Sequence, residues 1–147
     1  MYSPCTGNGE RKSGDVMKKT ISIVIVEDEQ ILAAETEVLL RRMGYEVAGI
    51  ADSSNQAISL VEKTLPDLVL MDINLKGMVD GIETAAIIKA RFHIPVVYVT
   101  AYADEDNINK IKETEPFGLI IKPYKEVELM SVIKTALYKF WIEKRLK

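Results

Sequence analysis

Apolar residues along this chain gather in five short runs, each followed by a stretch with helical spacing. Ile21, Ile23, Val24, Ile25 and Val26 make a β-branched run that stops on Glu27-Asp28-Glu29, the pattern of a buried strand. Gln30 to Met43 reads as a helix, with Leu32, Thr36, Leu39 and Met43 at helical spacing and Gly44 placed to cap it. Tyr45 to Ala51 is a weaker strand. Asp52-Ser53-Ser54 offers N-cap candidates for a helix over about Asn55 to Thr64, with Ala57, Leu60, Val61 and Leu65 inward. After Pro66-Asp67 comes a third run, Leu68-Val69-Leu70-Met71, which ends abruptly on Asp72.

Beyond Gly77, a helix is predicted from about Gly81 to Phe92, with Ile82, Ala85, Ile88 and Phe92 on one face. Pro95 to Thr100 is a fourth strand, ending on a hydroxyl. Asp104 to Glu115 has helical propensity, but only Ile108 and Ile111 are available to anchor it. Gly118 to Ile121 is a short fifth strand that stops on Lys122-Pro123. The last helix starts near Glu126, turns Leu129, Ile133, Ala136, Leu137 and Phe140 to one side, and runs on towards Trp141 and Leu146. Five βα units in a row predict an α/β fold, a parallel five-stranded sheet with helices on both faces. Residues 1–19 are polar and have nothing to bury, so a disordered N-terminal tail is expected. The domain then covers 20–140, and 141–147 extend its last helix.

Composition narrows the picture without changing it. The 147 residues fit one domain with a proper core. Apolar residues make up 48% and charged residues 28%, ordinary for a globular protein. A net charge of −3 gives no global basic field to draw the chain to nucleic acid or a membrane. The one cysteine, Cys5, cannot form an internal disulfide, which is compatible with a cytoplasmic setting. No apolar run approaches the roughly 20 residues needed to span a bilayer. His93, the one histidine, reads as a loop residue.

Chemistry enters at the strand ends. Taken alone, Asp72 fits either a ligand-facing carboxylate or the start of the turn towards Gly77. Four of the five strands, however, end on a capable group: Glu27/Asp28, Asp72, Thr100 and Lys122. Right-handed crossovers carry all these ends to one edge of the sheet, where open α/β sheets bind ligands. Crowded carboxylates stay ionised together only if a cation joins them. Oxygen donors without His or Cys point to a hard ion, Mg²⁺ above all. A lysine and a hydroxyl beside them suit an incoming anion. The set describes a phosphoryl site with a carboxylate nucleophile.

These motifs resemble the receiver domain of two-component response regulators, over about Lys19 to Phe140. The acidic pair lies in VIVEDE, the phosphoacceptor signature is LVLMDINLKG, the switch hydroxyl lies in VVYVTAYAD and the lysine in IIKPY. The resemblance implies a flavodoxin-like three-layer sandwich with strand order 2-1-3-4-5. It implies that Asp72 accepts a phosphoryl group from a histidine kinase's phosphohistidine and that Lys122 and Thr100 bind the new phosphoryl oxygens. Mg²⁺ would be held by Asp28, Asp72 and the backbone carbonyl of Asn74, with Glu27 acting indirectly. Pro123 is expected to follow a cis peptide bond, and Glu29 to serve as a cap.

Two positions depart from the family pattern. Leu119 stands where an aromatic residue usually lies three positions before the lysine, so the usual threonine–aromatic coupling has no ring to move. Tyr102 is a bulky residue beside the expected path of hydrolytic water, and slow self-dephosphorylation is expected. An unchanged aspartyl-phosphate lifetime in Tyr102→Ala would count against that shielding. Two other functions compete: a Mg²⁺-dependent phosphatase with Asp72 as nucleophile, and an interaction module that is never phosphorylated. Aspartate-based phosphatases usually carry a second aspartate two positions on, where this chain has Asn74. The intact set of Asp28, Asp72, Thr100 and Lys122 argues against the module.

No DNA-binding region follows the domain, so output through protein contact is expected, either stand-alone or as the first domain of a longer sensor or kinase protein. The expected contact surface joins the Ile108 helix, the Leu119 strand and the terminal helix, which also offers a homodimer interface.

Overall fold

The computed structural model describes residues 20–73, 81–101, 109, 111–113 and 115–145. Strands β1 (Ser22–Val26), β2 (Glu46–Ala51), β3 (Leu68–Asp72), β4 (Val96–Thr100) and β5 (Gly118–Ile121) form one sheet. Helices α1 (Gln30–Arg42), α2 (Ser54–Thr64), α3 (Gly81–Phe92) and α4 (Glu126–Arg145) lie between and after them. The strand order is β2-β1-β3-β4-β5 and every pairing is parallel. That is the predicted flavodoxin-like order. Between β4 and β5, residues 111–113 are helical, and Ile111 is buried. The rest of that predicted helix, Ile108 included, lies outside the described residues. So do the predicted tail 1–19, Asn74 and Tyr102.

Helices on both faces explain why β3 and β4 are buried along their whole length, whereas the edge strands β2 and β5 are partly open. Alternate residues of each strand enter opposite cores. On one face, Ala57 and Val61 of α2 and Ala85 and Ile88 of α3 pack with Val24, Val69, Met71 and Tyr98. On the other, Ala33 and Leu40 of α1 and Leu129, Ile133 and Leu137 of α4 pack with Ile25, Leu70, Val97 and Val99.

Local signals place the element ends. Gly44 takes φ +94, a left-handed conformation that suits glycine just past a helix, and its N–H donates to Arg41 O at 3.0 Å. Ser53 is the N-cap of α2, its hydroxyl accepting from Gln56 N at 3.3 Å. On α1, Thr36 of the predicted stripe is buried with Ala33 and Leu40, and Leu39 and Met43 pack, partly covered, against the same core. Two expectations need correction. Leu65, expected inward, is 64% exposed, because it ends α2 in a left-handed conformation (φ 46) that carries its side chain off the buried face. Glu29 holds the N-cap position of α1, but its side chain makes no capping bond.

Candidate functional site at the carboxyl edge

Parallel pairing carries the last residues of β1, β3, β4 and β5 to one edge. β1 pairing with β2 extends one residue further through Glu27 N to Ala51 O at 2.9 Å, which fixes Glu27 beside β3. Ile73 N donates to Val99 O at 3.2 Å and holds the end of β3 against β4. Lys122 N donates to Thr100 O at 2.8 Å, so the lysine backbone continues the β4–β5 ladder. The Lys122–Pro123 peptide is cis, as the resemblance implied.

The side chains converge. Glu27 is 7% exposed, Asp72 5% and Thr100 fully buried; Asp28 is half-buried. Carboxylate oxygens of Glu27, Asp28 and Asp72 lie within 4.8 Å of one another. Lys122 Nζ donates to Glu27 Oε1 at 2.9 Å and to Asp72 Oδ2 at 3.4 Å. Glu27 is thus the lysine's shorter partner and is more deeply buried than Asp28. Its second oxygen, Oε2, accepts from Glu29 N at 3.2 Å.

Burial pushes the Glu27 carboxyl up to about 7; the hydrogen bond from Lys122 pulls the other way, and the neighbouring Asp72 adds to the rise. Burial alone would lower the Lys122 ammonium, but its hydrogen bond with Glu27 and the charge of Asp72 outweigh that and hold it above the ordinary lysine value. Three carboxylates facing one ammonium leave an excess of negative charge. All-oxygen donors with that excess fit a hard divalent cation such as Mg²⁺. His93 is exposed and lies outside the cluster.

The structure adds three residues that sequence reasoning did not assign to the site. Gly81 opens α3 directly against the end of β3, where a Cβ would collide with Ile73 Cα and the Asp72 carbonyl oxygen. Only a glycine lets α3 approach Asp72 this closely. Thr36 and Tyr124 place their hydroxyls 2.6 Å apart beneath Glu27 and Asp72. A glycine at a helix start and a tyrosine following Lys-Pro are weak signals, and neither announces a partner so distant in sequence.

The family model for the response regulator receiver domain matches residues 23–134. This chain belongs to that family. Among relatives of the receiver domain, the transcriptional regulatory protein PdtaR of Mycobacterium tuberculosis is 30% identical over 118 residues, 80% of this chain and 57% of that protein. The chain spans about half the length of the curated relatives it matches. Two solved receiver domains cover almost their full length on it. The signal receiver domain of a modulated diguanylate cyclase from Desulfovibrio desulfuricans G20 has a TM-score of 0.80 and 33% identity, covering 85% of this chain and 99% of its own. A CheY-like receiver domain from Methanospirillum hungatei JF-1 has a TM-score of 0.76 and 27% identity, again covering 85% and 99%. The receiver fold and the two-component response-regulator class of this domain follow. Among the described residues, no helix is long and apolar enough to cross a membrane.

Proposed function

We propose that this receiver domain is a phosphorylatable switch whose acceptor is Asp72. The observation that carries the reading is the buried Asp72 carboxylate at the carboxyl edge, within reach of Lys122 and clustered with Glu27 and Asp28. An Asp72 oxygen attacks the phosphorus of a histidine kinase's phosphohistidine. A P–O bond forms, the P–N bond breaks, and its electron pair returns to the imidazole nitrogen, which takes up a proton from solvent. Lys122 moves from carboxylate partner to phosphoryl partner, and the Thr100 hydroxyl donates to a second phosphoryl oxygen. Asp28 and Asp72, with the Asn74 backbone carbonyl and Glu27 indirectly, would hold Mg²⁺, whose charge neutralises phosphoryl oxygens when bound. Asp72, Lys122 and Thr100 act by position and charge, which suits phosphoryl transfer.

Output in this reading passes through protein contact, in the cytoplasm and without direct nucleic-acid or membrane binding. Val127, Tyr138 and Trp141 are 73%, 65% and 40% exposed along α4, and support contact with a downstream protein, a linked sensor or kinase domain, or a second copy. The domain proper ends near residue 140 and the remaining turns of α4 extend from it. Mass spectrometry after incubation with acetyl phosphate and Mg²⁺ tests the acceptor. A gain of about 80 Da, one phosphoryl group, is expected in the unaltered chain and none in Asp72→Asn. No gain in the unaltered chain overturns the reading. Appreciable turnover of a phosphomonoester would favour a hydrolase instead.

A further inference from the structure

We infer that Thr36 and Tyr124 are positioning residues for Lys122, linked by a hydroxyl–hydroxyl bond that sets where the ammonium stands between Glu27 and Asp72. The inference rests on the phosphoacceptor reading for its consequence, but not for its geometry. Thr36 lies on the buried face of α1, 8% exposed, and its Oγ1 is 2.6 Å from Tyr124 OH; either hydroxyl can donate. Tyr124 is half-buried, so the pair is partly withdrawn from water, and each hydroxyl satisfies the other. The two hydroxyls line a small cavity with Glu27 and Asp72, walled by Leu70 and Val99. The pair therefore sits directly behind the carboxylates that Lys122 serves.

Only Pro123 separates Tyr124 from Lys122, and its ring fixes φ, so little slack exists between them. On the near side, Lys122 is held by its N–H on Thr100 O at 2.8 Å. On the far side, Tyr124 ties the loop to α1, the helix that begins just after Glu27 and Asp28. A salt bridge between α1 and the start of α4, Arg42 to Glu126 at 2.9 Å, is 61% and 34% exposed and is screened by solvent. The less exposed hydroxyl bond is the firmer tie. It couples the loop that carries the cation to the helix that follows directly on the acidic pair, so both sides of the Lys122–Glu27 contact share one frame.

Competitive acetylation tests this on the unphosphorylated 147-residue chain. Limiting acetic anhydride is applied, and labelling at Lys122 is read by mass spectrometry against exposed Lys134. Tyr124→Phe and Thr36→Val each remove one hydroxyl with little change of shape. Each is expected to raise relative labelling of Lys122 about fivefold, the size of one lost hydrogen bond. The double variant should show no more than either single one, because both delete the same bond. Thr36→Ser keeps the hydroxyl and should label like the unaltered chain. Unchanged labelling in both single variants overturns the inference, as do additive effects or a Thr36→Ser variant that behaves like Thr36→Val. A second arm follows phosphoryl uptake from acetyl phosphate with Mg²⁺, where the labelled-up variants should be slower by a similar factor. Uptake equal to that of the unaltered chain would deny the pair any bearing on the reaction. If the unaltered chain takes up no phosphoryl group, the acceptor reading fails, and the labelling arm still decides the positioning.

Discussion

The two edges of this sheet both carry lysines, and they use them in opposite ways. At the carboxyl edge, Lys122 is 19% exposed in its side chain and is closed between the carboxylates of Glu27 and Asp72. At the amino edge, Phe117 and Phe140 meet edge-on with centroids 5.6 Å apart and an interplanar angle of 73°. Lys89 and Lys139 stand over the Phe117 ring at 6.0 and 5.8 Å, and Lys144 over Phe140 at 5.6 Å. Lys139 and Lys144 are exposed, and Lys89 is half-buried and also donates to the Glu115 carbonyl oxygen at 3.2 Å. A charge that is buried and paired with carboxylates is maintained against a desolvation cost, whereas an exposed charge over a ring keeps its hydration. Burial and pairing set the carboxyl-edge lysine apart from those at the amino edge, and the proposed acceptor site lies at the carboxyl edge.

Substitution of the two kinds of lysine puts the contrast at risk. Lys122→Met leaves Glu27 and Asp72 buried without their cation, and a loss of about 3 kcal/mol is expected in denaturant unfolding without Mg²⁺. A loss below about 1 kcal/mol would show that the carboxylates do not depend on the lysine. Mg²⁺ sharpens the same contrast from the other side. Binding to the folded state alone stabilises by about 2.7 kcal/mol at a hundredfold excess over Kd. Thermal unfolding should therefore move upward with Mg²⁺, and Asp28→Asn should reduce the shift. An equal Mg²⁺ response in Asp28→Asn would remove that residue from the metal site. The smallest effect belongs to the amino edge. Lys139→Met keeps a flexible chain over Phe117, and its stability should stay within about 0.5 kcal/mol of the unaltered chain. A larger loss would mean that the amino-edge lysines carry structural weight.

Much of the carboxyl edge was legible beforehand because its signals are local. A β-branched or apolar run that stops on an acid, a hydroxyl or a lysine can be read from consecutive residues, as at Val26-Glu27-Asp28 and Met71-Asp72. Parallel topology then forces those ends together, whatever the loops do. Gly44 and Ser53 were legible for the same reason, since helix caps are set within a few residues. Leu65 was misread because helical spacing alone cannot show that the chain has already left the helix.

By itself, then, the sequence determined the βα order, the capable groups at the strand ends and the family to which they belong. Tertiary structure alone decided how those groups are joined. Glu27 and Lys122 are 95 positions apart, and Thr36 and Tyr124 are 88 apart. Gly81 matters to Asp72 only because α3 begins against the end of β3. Local preference acts over a turn or a strand. Burial, by contrast, chooses partners across the whole fold, because a polar group removed from water must find its hydrogen bond wherever the packing offers one.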